Sequence, residues 1–346
     1  MKVKSERFGV LSNGKQADII TLDNGRGVVC KFTNFGATLT SWEIPDKNGE
    51  RINIVLGWDN LKGFEEDTSY HGAVIGRFGN RISNGKFKID HEEFTLAVNQ
   101  HPNHLHGGVQ GFNKVIWDYT LVDEPGKEGV KFHYLSKHME EGYPGNLSVY
   151  VTYRLTNNNE LRIEYEATTD KKTVINLTNH AYFNLNGCKK DILKHRLQIK
   201  AGHYTPVNEN MIPTGEIKSL TGTDLDFNEF HEIGERIKNL TIGGYDHNFV
   251  LDKPEHMLDK IAEVFDPESG LRMEVSTTEP GVQLYTAIHF DGSVEGRNGI
   301  KYNKYFGFCL ETQHYPDSPN QPGFPSTFLS PGDVYKQTTI YKVSLK

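Results

Sequence analysis

The sequence predicts an all-β protein, mostly antiparallel, with a few short helices. Three observations carry this. Apolar residues alternate at period two in many short runs, and Gly or Asn falls in nearly every gap between those runs. Helical periodicity is also too scarce to supply the crossover helices of a parallel sheet. No shift of composition marks a linker, no tract is of low complexity and no period of repeat length appears. Residues 1–346 are therefore expected to form a single sandwich domain with one large core.

The clearest strand is Leu147–Leu155, where Leu147, Val149, Val151, Tyr153 and Leu155 share a face. After the turn at Asn157 to Asn159 the pattern returns in Leu161, Ile163, Tyr165 and Ala167, with Arg162, Glu164 and Glu166 on the wet side of a hairpin. In the first half, further strands are expected at 17–22, 27–33, 37–44, 52–57, 86–90, 93–98, 115–121 and 130–135. In the second half they are expected at 173–177, 196–200, 261–265, 271–277, 282–288, 307–311 and 338–345. Helical pattern is confined to Leu61–Glu66 and to residues 229–240.

Composition narrows the function. Lys plus Arg number 38 against 45 for Asp plus Glu, a formal net charge of -7 with the signs mixed along the chain. This is not the surface of a nucleic-acid binder or of a protein held on an anionic membrane. No apolar run reaches the length of a membrane helix, and the first residues lack the apolar stretch of a signal peptide. The three cysteines, Cys30, Cys188 and Cys309, are odd in number and far apart, which argues against a disulfide framework and for a reducing, cytoplasmic compartment. A sequon at Asn176 falls inside the candidate site, where a glycan would block it, and points the same way.

The polar clusters sit where strands run into loops. Residues 72–85 place several glycines around Arg77, Asn80 and Arg81. Glycine lets backbone approach a ligand closely, and Arg81 can offer a planar fork of donors; a phosphate loop is excluded because no Gly-Lys-Ser/Thr and no helix follow. His101, His104 and His106 have the residue types of a metal site, but they lie in a Pro/Asn/Gly loop without the spacing of a zinc motif, so no metal is expected. Trp117 has the flat apolar face that could wall a sugar ring, although a place in the core is the more frequent use of tryptophan. The stretch 176–185 passes from an extended run through Asn179 and His180 into an aromatic and amide-rich turn. His180 is its one side chain able to move a proton in either direction near neutral pH. Asp246 follows a double-glycine turn and can accept from two vicinal hydroxyls. Gln283 lies on an alternating strand, and Glu311 ends the apolar run Phe308 to Leu310, where burial should raise its pKa.

Taken in order, Asn80-Arg81-Ile82, Leu105-His106-Gly107-Gly108, Gly111 to Trp117, Glu141 to Gly145, Asn176 to Leu185, Gly244 to Phe249, Pro280 to Gln283 and Leu310 to Gln313 resemble the aldose 1-epimerases, the galactose mutarotase family. The resemblance spans nearly the whole chain. It implies a β-supersandwich, a cofactor-free isomerase, and interconversion of the α and β anomers of hexoses such as galactose and glucose. By the same resemblance, His180 is the acid at the ring oxygen, Glu311 the base at the C1 hydroxyl, and His106 the second site histidine. Asn80, Arg81, Asp246 and Gln283 match positions that hold the sugar hydroxyls. The expected partner is a small hexose, and the expected state a monomer or weak homodimer. Two other classes fit parts of the pattern: a glycoside hydrolase pairing Glu311 with Asp246, which leaves both histidines without a purpose, and a non-catalytic sugar-binding module.

Overall fold

The computed structural model describes residues 2–124 and 128–346. Three sheets dominate. A five-stranded sheet of Lys2–Val10, Gln16–Asp23, Val29–Thr33, Thr38–Pro45 and Arg51–Asn53 runs in sequence order. A nine-stranded sheet is built around the hairpin of Leu147–Leu155 and Glu160–Thr169; the C-terminal strand Tyr335–Leu345 lies beside that hairpin and pairs on its other edge with Leu271–Thr277. The third sheet orders Lys218–Ser219, Ala201–Tyr204, Asp246–Leu251, Gly281–Tyr285 and Cys309–Gln313. The strand pairs that build these three sheets are antiparallel.

The period-two reading fixes which side chains fill the core. Leu147, Val149, Val151 and Tyr153 are fully buried, while Glu166 on the opposite face of the partner strand is exposed. One apolar cluster runs from Ile20 and Phe32 through Trp42, Val151, Ile163 and Leu197 to Val343, so strands distant in sequence close over a shared interior. Burial of each large aliphatic side chain there is worth about 1.5–3 kcal/mol.

Several expectations fail. The strand expected over 52–57 survives only as Arg51–Asn53. Residues 229–240 are not a helix but a two-residue strand, His231–Glu232, followed by the short 3₁₀ turn Ile237–Asn239. The backbone N–H groups of Ile233 and Gly234 donate to His195 and Leu193 carbonyls at 2.9 Å, and this tertiary pairing outcompetes helical periodicity. The strand expected over 173–177 survives only as Thr173–Val174. The helix Leu61–Glu66 does form, capped by Asn60, whose side chain accepts from the Gly63 N–H.

Candidate active site

The site lies where the third sheet meets two short strand pairs. Within the sheet, Gln283 sits directly opposite Glu311 and next to Asn248, and Asp246 opposite Tyr285. Arg81 is paired with Leu105, which places His106 one residue beyond the ladder. Thr178–Asn179 pairs with Val74–Ile75 and delivers His180 at its end. The ends of these elements enclose a cavity of about 210 Å³ lined by Tyr70, Asn80, Arg81, His106, His180, Tyr182, Asp246 and Glu311 among others.

Much of the amide-rich sequence around the cavity is scaffold. Asn176 accepts from the His314 N–H and donates to the Gly79 and His314 carbonyls, and Asn179 donates to the Gly72 carbonyl at 2.9 Å. Both are buried, so each satisfies backbone that would otherwise be orphaned. Arg77 is likewise a clamp and not a ligand group: it is 1% exposed and donates to the carbonyls of Pro144 and Gly145 and to Ser136 Oγ. Glu141 holds the loop after His106 by accepting from the Val109 and Gln110 N–H groups, both at 3.0 Å. The two glycines of that loop are required. A Cβ on Gly107, at φ +87°, would lie 1.8 Å from the Gly76 carbonyl oxygen, and one on Gly108 would lie 2.1 Å from Glu141 Oε2.

His180 Nε2 stands 3.7 Å from Glu311 Oε1, with both side chains almost completely buried. The His106 and His180 rings meet edge to face at 5.2 Å. Burial pushes the Glu311 carboxyl well above its ordinary range; nearby Asp246 adds to the shift and Arg81 opposes it. Burial also draws the His180 imidazole down to about 4. Glu311 Oε2 has no hydrogen-bond partner among the described residues. Both groups thus disfavour charge, which favours a pair with one proton between them.

The tautomer of His106 is set by the backbone. The Asn80 N–H donates to His106 Nδ1 at 3.1 Å, so the proton of the neutral ring sits on Nε2. Burial holds this ring well below its usual pKa, which keeps it a neutral donor. Asn80, itself left-handed at φ 63°, also receives the His106 N–H on its carbonyl, and its Oδ1 accepts from the Arg81 N–H. Its Nδ2 has no protein partner among the described residues. Asp246 accepts from Gln283 Nε2 at 2.5 Å and faces Arg81 Nη2 at 3.6 Å, while Arg81 Nε donates to Gln100 Oε1 at 2.7 Å.

A family profile for aldose 1-epimerase matches residues 18–342. The chain belongs to the aldose 1-epimerase family. It is 44% identical over 338 residues to the galactose mutarotase of Homo sapiens, covering 94% of this chain and 96% of the relative. To the aldose 1-epimerase of Escherichia coli K12 it is 37% identical over 344 residues, covering 98% of each chain. The fold matches the crystal structure of an aldose epimerase homologue from C. elegans with TM-score 0.89 and 32% identity, covering 95% of this chain and 99% of that one. A galactose 1-epimerase from Lactobacillus acidophilus gives TM-score 0.88 at 28% identity, with 99% of both chains covered.

All seven site residues expected from the sequence converge on this corner of the epimerase fold, six of them in the cavity wall. Gln283 stands behind the wall, buried, with its amide on Asp246. Trp117 is not a sugar platform: it is fully buried in the core and its indole N–H donates to the Phe112 carbonyl. His104 is committed to structure as well, bonded through Nδ1 to the Ala97 carbonyl and through Nε2 to the Tyr143 hydroxyl. Sequence reasoning missed Tyr70, which stands in no string with a chemical signature, and Gln100, which directly precedes His101 in the histidine loop but was given no role. His106, His180 and Glu311 have ligand atoms within 4.8 Å of one another, the composition of a metal triad. His106 does not fit that role, because a ligand at Nε2 would force the ring proton onto Nδ1, against the Asn80 N–H.

Proposed function

We propose that this chain interconverts the α and β anomers of hexoses such as galactose and glucose, with His180 and Glu311 sharing the proton traffic. The observation that carries the reading is the 3.7 Å separation of His180 Nε2 and Glu311 Oε1 in the wall of the 210 Å³ cavity. The C1 hydroxyl and the ring oxygen of a pyranose are bonded to one carbon, so an acid and a base acting on them must stand a few ångström apart.

The favoured neutral form keeps the shared proton on Glu311; the reactive form is the tautomer in which that proton has passed to His180 and Glu311 is a carboxylate. Glu311 takes the proton of the C1 hydroxyl, and His180 gives its proton to the ring oxygen as the bond from C1 to that oxygen breaks. The product is the open-chain aldehyde. Rotation about the C1–C2 bond presents the other carbonyl face. Reclosure returns the ring-oxygen proton to His180 while Glu311 protonates the former carbonyl oxygen, so the protein ends as it began. His106, a fixed neutral donor, supports the oxygen on which negative charge develops. Asn80, Arg81 and Asp246 hold the remaining hydroxyls during the rotation, and Gln283 aims Asp246. The lowered pKa of His180 raises the driving force for its proton donation, and the raised pKa of Glu311 raises its basicity. The three free, buried cysteines support a cytoplasmic address.

Polarimetry of freshly dissolved α-glucose and α-galactose tests the reading. We expect the protein to hasten the rotation change at catalytic concentration, equally with and without chelator. A binding module would leave the rate unchanged, and release of a chromophore from a nitrophenyl hexoside would instead favour a hydrolase.

A further inference from the structure

Three features near the cavity remain without a role: a tyrosine in a strained backbone conformation, a buried Asp–His pair and the lysine of the 111–117 motif. They form one device. Tyr70 has φ 62°, a conformation that a bulky residue adopts only where its surroundings impose it. Asp67 imposes it from below: its carboxylate accepts from the Ser69 and His71 N–H groups, both at 2.7 Å, and its Oδ1 contacts His71 Nδ1 at 3.1 Å. Lys114 closes the turn from the side, its ammonium bonded to the carbonyls of Glu65 at 2.7 Å and Asp67 at 2.6 Å.

The turn is tied directly to His180. The Gly72 N–H donates to the His180 carbonyl at 2.9 Å, and the His180 N–H to the Ala73 carbonyl at 3.0 Å. The Tyr70 ring therefore arrives against both imidazoles, with its centroid 4.7 Å from that of His106 and 5.7 Å from that of His180. It lines the cavity, and its hydroxyl has no protein partner among the described residues. An imidazole that must reach one oxygen of a sugar needs its plane fixed, and ring packing supplies that where hydrogen bonds fix only one nitrogen.

We propose that Tyr70 is a further positioning residue of this active site, its ring holding the His106 and His180 imidazoles in the planes from which they meet the sugar, and that Lys114 and Asp67 act through it. The inference rests on the proposed roles of the two histidines in anomer exchange.

The test is the polarimetric rate of the full chain with Tyr70→Phe, Tyr70→Ala, Tyr70→Leu, Lys114→Met and the Tyr70→Ala/Lys114→Met double variant, with His180→Asn as the control. Tyr70→Phe is expected to stay within about threefold of wild-type kcat, whereas Tyr70→Ala loses about tenfold or more in kcat with KM changed less than about threefold. Tyr70→Leu reads the same loss if the alanine variant does not fold. Lys114→Met is expected to lose kcat in the same manner, and the double variant to be no slower than Tyr70→Ala alone. Wild-type kcat in both Tyr70→Ala and Tyr70→Leu overturns the proposal, as does a Tyr70→Phe variant as slow as Tyr70→Ala. Losses that multiply in the double variant overturn the part given to Lys114. If His180→Asn is fully active, it is the reading of the reaction that fails; if His180→Asn is inactive and the Tyr70 variants are unimpaired, only this inference fails.

Discussion

Replacing Glu311 by glutamine should make the protein more stable and nearly inactive, and the size of the stability gain should depend on pH in a way the structure dictates. Glu311 is buried, one oxygen lacks a hydrogen bond among the described residues, and its pKa is raised well above the ordinary value of 4.5. A carboxyl whose folded pKa is raised contributes most below its unfolded pKa, and that contribution is lost as pH climbs toward the folded value. Each pH unit in the window costs about 1.4 kcal/mol. The glutamine variant lacks this contribution, so its advantage over wild type should grow from pH 5 to pH 7, by up to about 1.4 kcal/mol for each pH unit in the window. His180 runs the opposite way, since its lowered pKa stabilises above 6.5 and loses that effect as pH falls toward about 4. It is present in both proteins and largely cancels in the difference. Urea unfolding of the two proteins at both pH values measures the difference directly, and polarimetry should show a loss of about 10²–10⁴-fold in turnover. A stability difference that does not vary with pH, or a variant less stable than wild type at pH 7, would mean that Glu311 is comfortably ionised in the fold and would refute the reasoning.

Asp246→Asn turns an acceptor of the Gln283 amide and a partner of Arg81 into a group that meets donors with a donor. We expect kcat/KM to fall about 10–100-fold, mainly through KM, in initial-rate polarimetry; an unchanged KM would remove Asp246 from the set of sugar holders. Glu141→Ala removes the two bonds by which Glu141 holds the loop following His106, so it should lower stability by about 1–3 kcal/mol in urea and reduce kcat although Glu141 does not line the cavity. Trp117→Phe should cost stability while leaving KM within about twofold, because the indole is buried in the core; a large rise in KM would restore it as a sugar wall.

The fold was legible where one face of a strand is wet and the other dry, as in Leu147–Leu155 and its partner Glu160–Thr169, whose alternation survives intact in the burial pattern. It was illegible where that contrast vanishes. Lys2–Val10 is largely exposed on both faces, a solvated edge strand whose charged residues hide its extended backbone, and it carried no signal. At 229–240 a helical period was present but irrelevant, because Ile233 and Gly234 had better partners in another segment. The site divides along similar lines. His180, Glu311, His106 and Asp246 could be read because their residue types perform chemistry; His180, His106 and Asp246 also stand at strand ends, whereas Glu311, expected to end its strand, lies at the centre of Cys309–Gln313. Tyr70 could not, since its proposed role rests on a backbone angle and on hydrogen bonds accepted by Asp67 and donated by Lys114 that no local pattern encodes. Gln283 was found for its position, but its bond to Asp246 could not be read from an alternating strand.

Initial rates of α-galactose mutarotation for His180→Asn, Glu311→Gln and the double variant bear most directly on a single proton passed through both side chains. Since neither group has a function in the reaction without the other, the double variant should be no slower than the slower single variant. Losses that multiply, with each group contributing its own factor, would contradict the shared proton and require two independent catalysts.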